Sequence, residues 1–108
     1  MSSRPFDIAI QTYRVGKDYV FHLTGGVAHI GAVATAYVEN TEIKVGLTTV
    51  PGHREDELAV ELATAACEAY KQTVTAIVGI HIDHATREEI QQMVEVARQT
   101  IRETIRGV

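Results

Sequence analysis

The chain has one cysteine, two prolines and no tryptophan. It has only two serines, Ser2 and Ser3. A lone Cys67 makes no internal disulfide, which points to a reducing compartment. Its Ala-rich surroundings (Ala65, Ala66, Ala69) read as buried packing rather than as a nucleophile's environment. Two serines at the very start rule out a serine nucleophile for practical purposes. No apolar run approaches the about 20 residues of a membrane span. No signal-peptide pattern opens the chain, so the expected setting is the cytoplasm, with no membrane partner. Clustered basic charge is also missing. The net charge is -4, and Arg98, Arg102 and Arg106 at i, i+4, i+8 read as a solvated helix face. Nucleic-acid binding needs denser positive charge and is not expected. Walker, GxSxG, CxxC and HExxH patterns are absent as well.

What is present suits a small globular protein. The 108 residues fit a single domain, 1–108, with 45% hydrophobic and 22% charged residues. A chain of this size buries enough surface to fold without disulfide or metal.

The first half reads as strands. Phe6, Ile8 and Ile10 alternate with polar or small residues up to Val15, and Gly16-Lys17-Asp18 breaks the run. Tyr19 to Leu23 resumes it, which predicts a hairpin. After Thr24-Gly25-Gly26, a third run from His29 to Val38 is rich in small residues. Such a strand lets a helix, a second subunit or a ligand approach closely. Glu39-Asn40 turns into a fourth run, Thr41 to Val50. Four consecutive strands predict a meander with antiparallel pairing.

Pro51-Gly52 ends the strands. Leu58, Leu62, Ala65, Ala66 and Ala69 recur at helical spacing, and acids at 55–57 suit the positive end of a helix dipole, so a helix is expected over His53–Lys71. Thr73 to Ile82 is apolar at nearly every position, as in a central strand. Thr86-Arg87-Glu88-Glu89 matches a capping box. It opens a helix with Ile90, Met93, Val94, Ala97, Ile101 and Ile105 on its apolar stripe. The expected fold is α+β: an antiparallel sheet of about five strands with two helices packed on one face, order ββββαβα.

Five histidines stand in this short chain, most of them at element boundaries. His53 and Glu57 are four apart on one helix and share a face, as a metal pair or an oriented histidine would. His81 and Asp83 alternate on an extended segment and point to one side, before a helix N-terminus suited to an anion. Gly25-Gly26 precedes His29, and paired glycines suit close approach of a phosphate. With Gly31, the site candidates are Gly25, Gly26, His29, Gly31, His53, Glu57, His81 and Asp83. His22 lies mid-strand and His84 in a loop, and both are weaker.

Three segments carry a resemblance: Gly25-Gly26-Val27-Ala28-His29-Ile30-Gly31-Ala32-Val33-Ala34, Pro51-Gly52-His53-Arg54-Glu55-Asp56-Glu57-Leu58-Ala59 and Gly79-Ile80-His81-Ile82-Asp83-His84-Ala85-Thr86. Together they resemble the small LpdD-type proteins that accompany UbiD-like aromatic-acid decarboxylases. The family's usual Asn is replaced at His84. The resemblance implies a non-catalytic chaperone for prenylated flavin mononucleotide (FMN), or an FMN-like flavin, that serves a UbiD-like decarboxylase, with the flavin prenyltransferase as a second candidate partner. It implies that the double glycine, the histidines and a helix N-terminus hold the flavin phosphate, directly or through a divalent metal. It also implies that the small-residue strand from Gly31 to Ala36 faces the ring system. An open site on so small a chain predicts a homodimer.

Two other readings fit the residues. One is a small metal-dependent enzyme with His29, His53, Glu57 and His81 as ligands or acid–base groups. The other is a structural assembly subunit, by analogy of element order with proteasome-assembly-chaperone-like domains.

Overall fold

The computed structural model describes residues 5–52 and 55–107. A short 3-10 turn, Pro5–Asp7, leads into β1 (Ala9–Val15) and β2 (Asp18–Gly26). Then come β3 (Ala32–Glu39), β4 (Glu42–Thr49), α1 (Asp56–Tyr70), β5 (Val74–His81) and α2 (Arg87–Gly107). The expected class and order ββββαβα hold.

The strand order is β1-β2-β5-β3-β4, so the meander is broken. β5 enters between the two hairpins, parallel to β2 and antiparallel to β3. The physical reason is its composition: the most continuously apolar strand gains most from a central place. Each hairpin keeps a two-residue loop, with Val15 opposite Asp18 and Glu39 opposite Glu42. Asn40 and Thr41 both have positive φ, as a tight hairpin turn requires.

One face of the sheet carries the core. Phe21 and Leu23 of β2, Ala32, Ala34 and Ala36 of β3, and Val74, Ala76 and Val78 of β5 are all fully buried. α1 lays Ala59, Leu62, Ala63, Ala66 and Cys67 into this core, and α2 adds Ala97 and Ile101. The buried stripe of α1 runs through Ala59 and Ala63, whereas Ala65 and Ala69 are exposed. The small residues of β3 therefore admit a helix. Alanine facing alanine lets α1 sit close to the sheet, and Ala32, Ala34 and Ala36 have no surface left for a flavin.

Further differences are local. Phe6 and Asp7 have positive φ, so the first strand begins at Ala9 rather than Phe6. β3 begins at Ala32, which leaves His29 in the preceding loop. The expected helix start at His53 lies outside the described residues. The capping box forms as read: Thr86 Oγ1 accepts from the Glu89 N–H at 3.1 Å, and Glu89 Oε1 accepts from the Thr86 N–H at 2.9 Å. Cys67 is buried, and desolvation raises its thiol pKa against a smaller lowering by Lys71. Among the described residues no helix is long and apolar enough to cross a membrane.

Candidate functional site

The insertion of β5 creates the site. β2 ends on one side of β5 and β3 begins on the other, so residues 27–31 must cross the end of β5. Both sides of the crossing are tied down. The Val27 N–H donates to the His81 carbonyl, and the Gly31 N–H to the Val78 carbonyl, each at 2.8 Å. Gly79 makes room beneath: a Cβ there would overlap the His29 carbonyl. His29 is thereby held over the end of the central strand.

Its imidazole meets α1. Nε2 lies 2.9 Å from Glu55 Oε2, and Nδ1 lies 3.1 Å from the Val27 carbonyl oxygen. Both ring nitrogens face acceptors, so a neutral ring can donate to only one of them. Glu55 occupies the N-cap position of α1 yet caps nothing with its side chain. Its carboxylate lies instead against Gly31, where a Cβ would overlap it, and reaches His29. At the last residue of β5, His81 Nε2 lies 2.9 Å from Asp83 Oδ1, which agrees with the two side chains sharing a side. The His29 and His81 rings stand edge to face, 6.2 Å between centroids. Two histidine–carboxylate pairs thus converge from three parts of the chain.

Next to them a cleft of about 450 Å³ opens, within the range of small-molecule sites. Gly52, Glu55, His81 and His84 line its polar side. Leu58, Ile80, Ile82, Ile90, Met93 and Val94 make it otherwise apolar. Ile80 packs against the core and, with Ile82, also lines this cleft. His84 adopts φ 57°, a left-handed conformation that Asn, Asp and His enter more readily than most residues.

The remaining candidates are placed as follows. Gly25 and Gly26 form the end of β2 and pair with Ile80 and His81 of β5. Gly25 clears space for Ile8 and Ile80, and Gly26 has a positive φ. They build the strand end on which the site rests and are not a free turn. Glu57 is 82% exposed and points elsewhere, 4.0 Å from Arg98. It lines a separate shallow groove with Leu47, Val60 and Glu61. Arg98 is held by Glu61 at 2.7 Å, a hydrogen bond that raises the guanidinium pKa further. His53 lies outside the described residues. His22 sits on the open face of the sheet, its Nε2 buried with no hydrogen-bond partner among the described residues. Among those residues no group of three or more His, Cys, Asp or Glu side chains could hold a metal ion.

Sequence reading missed Glu55 as a partner and missed the apolar wall. Gly31 marks Glu55 only in hindsight, because the contact joins residues 24 positions apart in sequence.

No curated protein matches the chain. The family described as "Prenylated flavin chaperone LpdD-like domain" matches residues 2–108, nearly the whole length. The chain, with its paired histidines beside an apolar cleft, belongs to this LpdD-like prenylated flavin chaperone family.

Proposed function

We propose that the chain binds prenylated flavin mononucleotide in the cleft at the end of β5 and hands it, without chemical change, to a UbiD-like decarboxylase in the cytoplasm. The observation that carries this reading is the composition of the cleft: an apolar wall with Glu55, His81 and His84 along one side. Prenylated FMN has the matching halves, an apolar ring system and an anionic phosphate. The side chains of Leu58, Ile80, Ile82, Met93 and Val94 fit the rings. His81 and His84 fit the phosphate end, with Asp83 orienting His81. His29 is oriented by Glu55 beside them. When bound, the cofactor supplies the electron-accepting chemistry of the recipient enzyme. This chain's residues bind it, orient it and shield its apolar part from water.

The cleft is open to solvent on its outer side, which suits release as well as capture. A homodimer belongs to the reading, since a second copy adds walls to an open cleft. Sedimentation that returns only monomer, with and without flavin, removes that part. The flavin prenyltransferase is the natural donor of the cargo and the decarboxylase its acceptor. The test is an anaerobic titration with reduced prenylated FMN, followed by transfer to an apo-decarboxylase. Saturable binding and faster activation of the apoenzyme are expected. Absence of both ends the proposal.

A further inference from the structure

The two edges of the sheet are finished differently. On the helix face of edge strand β1 the side chains are Ile10, Thr12 and Arg14, opposite Leu23, Phe21 and Tyr19. Ile10 packs against the core, and Arg14 lies over the Tyr19 ring. A charged side chain in such a row protects an edge from pairing. On the same face of edge strand β4 the row is Ile43, Val45 and Leu47, opposite Val38, Ala36 and Ala34. These three are 37%, 42% and 45% exposed. Their backbone is exposed to pairing too. The Val50 N–H donates to the Gly31 carbonyl at 2.8 Å, in the register that sets Ala32 opposite Thr49. Bonded and non-bonded pairs alternate along an antiparallel ladder, so Thr48, Gly46, Lys44 and Glu42 turn their backbone groups toward β3. Ile43, Val45 and Leu47 turn theirs outward, and among the described residues β4 has no strand on that side.

Charge marks one end of this edge. Leu47 continues into the shallow groove that Val60, Asp56, Glu57, Glu61 and Arg98 complete. Glu61 holds Arg98 at 2.7 Å, so Asp56 and Glu57 leave the groove acidic. A second copy of the chain fits this edge poorly. A twofold that sets Val45 opposite its own counterpart puts the acidic groove beside Ile43 of the other copy. That end carries Glu39 and Glu42, and its Lys44 is already bonded to Glu42 at 3.2 Å. The complement is instead a strand with apolar side chains at alternate positions and a basic end. We propose that β4 takes up an extended segment of a partner protein as a further strand of the sheet, with apolar side chains on the α1 face and lysine or arginine against Asp56 and Glu57. Main-chain bonds to Ile43, Val45 and Leu47 supply the attachment. The acidic groove selects the basic segment.

Two fluorescein-labelled peptides test this by anisotropy. Each alternates valine with threonine over the eight-residue length of β4. One has arginines at both ends, so that either strand direction brings a base to the groove, and the other has glutamates. The arginine peptide is expected to bind about tenfold tighter at low salt, and added salt should shrink that preference. Asp56→Asn with Glu57→Gln should abolish the preference. Val45→Pro removes an outward N–H that β3 does not use, and Leu47→Lys puts a charge in the apolar row. Each should weaken binding of the arginine peptide by about tenfold. Circular dichroism checks every fold, and Leu47→Lys decides if Val45→Pro does not fold. No binding of the arginine peptide, equal affinity for the two peptides, or undiminished binding by the folded edge variants overturns the proposal. So does sedimentation that finds a dimer of the unaltered chain which Leu47→Lys dissociates, because a second copy then occupies the edge. No flavin enters these measurements, so their failure leaves the proposed flavin site standing.

Discussion

The two ends of β5 are built from opposite materials. At its start, Tyr19 and Tyr70 pack with ring centroids 4.6 Å apart, and Phe21 stacks 5.8 Å from Tyr19. Arg14 lies 4.4 Å above the Tyr19 ring. The Tyr70 hydroxyl donates to the Ile105 carbonyl at 2.7 Å and joins α1 to α2. The Asp18 carboxylate accepts from the Thr73 N–H at 3.2 Å. The Tyr70 hydroxyl and the Asp18 carboxylate there are bonded within the fold, and the rings pack on one another. At the other end stand glycines, histidines and a cleft whose apolar wall is uncovered. Aromatic packing is concentrated where β5 begins, and the proposed ligand site lies where it ends. The comparison shows how a small chain can keep an open site: the fold is closed from the far end.

The largest expected break of that division comes from the aromatic end. Tyr70→Ala removes the ring contacts and orphans the Ile105 carbonyl, and should cost about 3 kcal/mol in urea unfolding. Flavin affinity of the folded fraction should stay within about twofold. A large loss of affinity would show that the ends are coupled.

Next comes Gly79→Ala. The added Cβ overlaps the His29 carbonyl and forces the crossing loop outward, at a cost of about 2 kcal/mol. Here stability and flavin affinity should fall together, measured by unfolding and titration. A variant of unchanged affinity would detach His29 from the site.

A smaller effect follows from Tyr70→Phe, which deletes one hydrogen bond and should cost about 1 kcal/mol at neutral pH. Burial, with a lesser contribution from Tyr19, raises the Tyr70 pKa in the fold. The folded state therefore favours the neutral phenol. Its contribution is complete below the unfolded value of about 10 and is lost as pH rises from there through the higher folded value. Unfolding followed against pH should show a shallower alkaline decline in Tyr70→Phe than in the unaltered chain. Identical declines would refute burial as the cause.

The smallest test separates two neighbouring carboxylates. Glu55→Gln should shift the imidazole resonances of His29 and change stability by about 1 kcal/mol or less. Glu57→Gln should leave those resonances in place. Matching shifts in both would return Glu57 to the site.

Element type was legible along most of the chain because it follows from local pattern. Alternation marked the strands, and three- and four-residue recurrence marked the helices. The capping box at Thr86–Glu89 closed as written, since all its partners lie within one turn. The pairing of His81 with Asp83 was legible for the same reason: two residues apart on an extended segment, they share a side. Glu57 was chosen over Glu55 because helical spacing connects Glu57 with His53. That argument assumes that the helix already includes residue 53, whereas α1 is described from Asp56 and Glu55 turns to a different loop. The small residues of β3 fitted a helix or a ligand equally well, and only the seat of α1 distinguishes them.

The sequence by itself determined the α+β class, the order of elements, the central character of β5 and the presence of histidines at the segment ends. Each depends on residues near one another in the chain or on the total apolar content of one segment. The tertiary structure decided that β5 separates the two hairpins, and with that the crossing loop, the need for Gly79 and Gly31, and the meeting of His29 with Glu55. Those contacts depend on which strands become neighbours. That choice is made by competition among whole strands for the centre of the sheet, and no local spacing records its outcome.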